Sequence, residues 1–99
     1  MTDNVLLTGL NYLRRTSPIY YKQIKEEGIR ISVAQTEDGK PQSRYRINAS
    51  GFNAELSSSL NVKDLEERLK GHIDEVARFH RVPIFLTGPI NGIHQINFI

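Results

Sequence analysis

Three arginines, Arg30, Arg44 and Arg46, stand at alternate positions within runs that read as strands, so their guanidinium groups leave the same side of a sheet. Guanidiniums pair bidentately with phosphates, which makes such a face a candidate nucleic-acid surface. Lys40 falls on the adjoining turn, and Lys22 and Lys25 in the preceding segment extend the candidate set. Tyr20 and Tyr21 lie close by in sequence, and tyrosine rings stack on bases. The competing reading is a merely solvated face, because Arg and Lys are common on exposed strands and acids are interspersed over residues 14–46.

Catalytic chemistry finds less support. His72, His80 and His94 match no metal-ligand spacing, and the first two lie about two helical turns apart. They read as histidines at the edge of a packing stripe. Ser57-Ser58-Ser59 lacks the glycines of a nucleophile elbow. Glu66 and Glu67 read as solvent-facing partners of Lys70 and Arg68. The stretch Gly88-Pro89-Ile90-Asn91-Gly92 lacks the lysine and hydroxyl of a phosphate loop, and Pro89 removes an amide, so it reads as a turn. Without cysteine there is neither a disulfide framework nor thiolate chemistry. No catalytic residue, cofactor or metal is expected, and the chain is expected not to be an enzyme.

Ninety-nine residues bury one core and make one domain, 1–99. A content of 38% hydrophobic and 24% charged residues argues against wholesale disorder. The net charge of +2 is weak evidence for a polyanionic partner, but residues 1–46 hold eight Lys/Arg against five Asp/Glu, and the remainder five against six. The start lacks the basic flank of a secretory signal and no apolar run spans a bilayer, so a cytoplasmic protein without a membrane partner is expected.

The element that must position everything else is a long helix over Asn61 to Arg81. Asn61 caps it, Asp64 complements its positive end, and Pro83 stops it. Val62, Leu65, Leu69, His72, Val76 and Phe79 recur at steps of three and four, with Ile73 and His80 beside them. Val5 to Arg15 reads as a short helix. Ser17 to Gly28 admits two readings: a helix with Pro18 at its first position and Gly28 past its end, or a strand with a Glu26-Glu27-Gly28 hairpin loop. Two acids in a last helical turn oppose the dipole, which tips the choice to the hairpin.

Ile29 to Gln35 and Arg44 to Ala49 alternate, with Ile29, Ile31, Val33, Tyr45, Ile47 and Ala49 inward. Ser50-Gly51 turns the chain into Phe52 to Leu56, with Phe52, Ala54 and Leu56 on the apolar side. Residues Ile84 to Thr87 and Ile93 to Phe98 flank turn signals and predict a terminal hairpin. The fold class is therefore α+β: an antiparallel β-meander of three or four strands packed on one long α-helix, with a short N-terminal helix and a C-terminal β-hairpin.

Three antiparallel strands followed by a long helix, with an Asp38-Gly39-Lys40 turn, is similar over Ile29 to Arg81 to the small arm-binding domains of phage-type integrases and related plant DNA-binding modules. The chain departs from their pattern in having no tryptophan, and the resemblance implies a fold only. The expected function is a small non-enzymatic binding module whose basic sheet face contacts DNA, RNA or a nucleoprotein. The alternative is a protein-interaction module, an inhibitor or adaptor of a larger enzyme or complex, from a phage or other mobile element. In that case Ile96, Phe98 and Ile99 would add a strand to a protein partner or to a second copy in a homodimer.

Overall fold

The structure, a computed structural model, describes residues 4–36, 42–90 and 92–96. Lys40 with its turn, and the terminal Phe98 and Ile99, lie outside the described residues. The elements run α1 (Val5–Thr16), α2 (Pro18–Glu27), β1 (Ile29–Gln35), β2 (Ser43–Ala49), β3 (Phe52–Ser58), α3 (Val62–His80), β4 (Ile84–Gly88) and β5 (Gly92–Ile96). The architecture is α+β, three helices with one five-stranded sheet in the order β3-β2-β1-β4-β5.

The antiparallel meander holds for β1, β2 and β3, joined at one end by a tight turn in which Ser50 and Gly51 both have positive φ. Beyond it the sheet differs from the expectation. The strand on the other side of β1 is β4, and the two run parallel, with Arg30 opposite Phe85 and Ser32 opposite Thr87. The terminal hairpin is thus part of the same sheet, and β5 pairs with β4 from Gly88–Gly92 to Ile84–Ile96.

Residues 18–27 are helical, which corrects the hairpin assignment. Pro18 opens α2, and Gly28 ends it at φ 86°, with its N–H bonded to the Ile24 carbonyl at 2.7 Å. The unfavourable acids carry little weight: charge–dipole terms are about 0.3–1 kcal/mol each, whereas burying one isoleucine contributes about 1.5–3 kcal/mol. Ile24 is buried, the Tyr20 hydroxyl donates to the Ala49 carbonyl at 2.6 Å, and Glu27 Oε2 accepts from Ser50 Oγ at 3.0 Å. Tertiary contacts decide this segment.

The stripe on α3 is Val62, Leu65, Glu66, Leu69, Ile73, Val76, Ala77 and His80. Phe79, expected within it, is 65% exposed. A straight helix drifts by about 20° per seven residues, so the series Leu65, His72, Phe79 slides off the buried face while Glu66, Ile73, His80 slides onto its centre. Asn61 Oδ1 accepts from the Asp64 N–H at 2.8 Å, the cap read from the sequence, and Arg81 ends the helix in the left-handed conformation.

All three helices cover one face of the sheet. Leu10 of α1, Ile24 of α2, and Leu65, Leu69, Ile73 and Val76 of α3 form one core with the inward residues of β1, β2 and β4. Asn4 ties this layer together: its Oδ1 caps α1 at the Leu7 N–H, and its Nδ2 donates to the His72 carbonyl and to Glu75 Oε1. Among the described residues, no helix lies on the opposite face of the sheet.

Candidate functional site

Strict alternation along β1 and β2 places Arg30, Ser32 and Ala34, and Arg44, Arg46 and Asn48, on the uncovered face, and all six are exposed. The cross-strand register then makes them neighbours: Ser32 opposes Arg46, Ala34 opposes Arg44, and Arg30 opposes Asn48. The small side chains of Ser32 and Ala34 leave a shallow trough of about 160 Å³ above β1, lined on the β2 side by Arg44 and Arg46.

Glu55 of β3 stands behind these two arginines, 3.5 Å from Arg44 Nη1 and 3.6 Å from Arg46 Nη2. One carboxylate therefore serves two guanidiniums, and all three groups are about half exposed or more. Exposed pairs of this kind contribute about 0–1 kcal/mol, so either guanidinium is readily released to an incoming anion. Among the described residues of this face, three arginines meet one acid.

Arg30 lies two residues before Ser32 on β1, beyond the end of the trough, its guanidinium carbon 5.9 Å from the centre of the Phe85 ring, at the outer limit of a cation–π contact. Phe85 is half-buried and Thr87 exposed on this same face, and Ile93 of β5, opposite Thr87, is 71% exposed. Phe85 was absent from the sequence-derived set. Its outward position follows from the alternation of buried Ile84 and Leu86, but its place beside Arg30 depends on a parallel pairing that no local pattern announces.

Lys22 and Lys25 do not join this face. Both are exposed on α2, in the helical layer, and Lys25 Nζ lies 5.6 Å from the Tyr21 ring centre. Tyr20 and Tyr21 are on that side too, each with its hydroxyl engaged, at Ala49 and at His80. Tyr45 points inward, where burial raises its phenol above the ordinary value.

His80 is buried rather than peripheral, at 2% exposure. Its Nε2 lies 2.9 Å from Asn11 Oδ1, which can only accept, so Nε2 carries the hydrogen and Nδ1 accepts from the Tyr21 hydroxyl at 2.7 Å. Burial lowers its pKa below the usual histidine value, and the positive charges of Arg14 and Lys25 lower it further. Burial also lowers His72, against the opposing effect of Glu75. In both, burial favours the neutral ring.

Glu66 corrects a second surface assignment, since it is fully buried and Oε1 accepts from the Ile90 N–H at 3.3 Å. A side chain at Gly88 would collide with this carboxylate. The loop after β4 is thus a turn fastened by α3. Ile96 sits in β5 opposite Ile84, so the terminal strand closes the protein's own sheet at least that far.

A second concavity, about 320 Å³, opens between α1, α2 and the β2–β3 end of the sheet, and Val5, Leu6, Tyr12, Tyr20 and Phe52 line it. Phe52, read as inward, reaches this groove and remains 55% exposed because the helices stop short of edge strand β3. Among the described residues, no group of three acids or histidines could hold a metal ion, and no helix is long and apolar enough to cross a membrane. Comparison with family models, with characterised proteins and with solved structures finds no match to this chain. The likeness of element order to integrase arm-binding domains accordingly carries no functional argument.

Proposed function

We propose that this protein is a small non-enzymatic binding module whose uncovered sheet face contacts nucleic acid, with Arg30, Arg44 and Arg46 on the phosphates. The observation that carries the reading is the juxtaposition of Arg44 and Arg46 beside a trough floored by Ser32 and Ala34, with Glu55 shared between the two guanidiniums. Nothing in the core requires arginine there, and the exposed pairs release their guanidiniums at little cost. Phosphate contacts of this type give affinity that falls steeply with salt.

The test is fluorescence anisotropy of labelled DNA and RNA at two salt concentrations, with the wild type and with Arg44→Glu combined with Arg46→Glu. The double variant is expected to bind at least about tenfold more weakly, with a salt slope smaller by about two. Unchanged affinity in a folded double variant would remove the assignment.

A protein-interaction module remains the second reading, favoured by the apolar groove with its exposed Val5, Tyr12 and Phe52. A wild type that binds no nucleic acid at low salt would put this reading first.

A further inference from the structure

The open face carries more than charge, since Phe85, Thr87 and Ile93 stand on it beside the arginines. We infer that the partner is a single-stranded polynucleotide laid across β2, β1 and β4, its phosphates on Arg44 and Arg46 and a base stacked at Phe85. This inference rests on the reading of the sheet face as a nucleic-acid surface.

Geometry argues against a duplex read through its major groove. Five strands at about 4.8 Å spacing make a face about 20 Å wide, broader than a major groove of about 12 Å, which admits a two-stranded ribbon or one helix. The arginines stand on β2 and β1, the second and third strands of five, so the flanking strands would meet the duplex backbone before the guanidiniums reached base edges. A single strand has no such constraint, because it can lie flat on a sheet and turn its bases toward it.

The apolar groups fall where the bases of such a strand would lie. Phe85 and Arg46 are two strands and two residues apart, about 12 Å on the diagonal, with Ser32 and Arg30 of β1 between them. A strand with its phosphates at Arg44 and Arg46 would run its sugars over Ser32 and bring a base over the Phe85 ring, and Ile93 extends the apolar platform diagonally from that ring. Arg30, its guanidinium carbon 5.9 Å from the ring centre, borders the same platform and adds a third phosphate contact. A duplex, with its bases already stacked on one another, would leave Phe85 and Ile93 without a partner.

The experiment titrates the full chain into labelled oligouridine, oligothymidine and a duplex of equal length, using wild type, Phe85→Ala and Phe85→Leu, with circular dichroism to verify folding. Phe85→Leu retains apolar bulk in β4 and keeps the test valid if the alanine variant unfolds. Single strands are expected to bind at least about tenfold more tightly than duplex, with the ratio of the two oligonucleotides naming the preferred sugar. Loss of the ring is expected to weaken single-strand binding about five- to a hundredfold and duplex binding hardly at all. Equal binding of single strands and duplex, unaffected by either variant, would overturn the single-strand inference and leave the basic face standing. No binding of any probe at low salt would overturn the sheet-face reading and this inference with it.

Discussion

The two faces of the sheet are made by the same residues taken alternately, yet they follow different rules. On β2, Ile47 and Ala49 point into the core under the helices, while Arg44, Arg46 and Asn48 point away from it. Inward positions are determined by volume and exclusion of water; outward positions are held by little more than the half-exposed pairs with Glu55. A single strand can therefore keep stability on one side and change its binding chemistry on the other. That separation makes the arginines informative, since packing does not call for them.

Variants can break or sharpen this contrast. The largest effect is expected beneath the helices, where Ile73 is fully buried at the centre of the α3 stripe. Ile73→Ala is expected to destabilise by about 2–5 kcal/mol in chemical denaturation. A cost below about 1 kcal/mol would mean that the helical layer is not packed on the sheet as described.

Acid should reveal the helical layer more gently. His80 and His72 are both held below the ordinary histidine value of 6.5, so folding favours their neutral rings. The unfolded chain takes up protons below that value while the folded chain resists, so stability is full above pH 6.5 and declines as the pH falls beneath it, until the lowered folded values are reached. His80→Gln should flatten its share of that decline in denaturation midpoints measured across pH 7 to 5, and an unchanged slope would show that His80 titrates as freely folded as unfolded. The smallest effect belongs to the open face: Arg46→Ala should change stability by less than about 1 kcal/mol in the same measurement. A larger loss would give Arg46 a structural duty and weaken its reading as a binding residue.

Much of this was legible in local pattern. The alternation of Arg30, Arg44 and Arg46 against Ile29, Ile31 and Ile47 determined which side of each strand faces water, because a period of two leaves no other arrangement with one face buried. Asn61, Pro83 and the apolar spacing between them likewise determined α3, since capping and backbone sterics act within a few residues. Segment 18–27 was not legible, because its end signals suited two structures and only the burial of Ile24 and the Tyr20 and Tyr21 hydrogen bonds favoured the helix. Nor was the burial of Glu66, whose charge suggested water until the β4 turn supplied the Ile90 amide.

The candidate site divides along the same line. By itself the sequence determined that three arginines share one face of a sheet, through the strict geometry of the strand. Only the tertiary structure set Lys22 and Lys25 on the opposite layer and brought Phe85 beside Arg30, because the parallel pairing of β1 with β4 joins residues 55 positions apart and no local preference encodes so distant a neighbour.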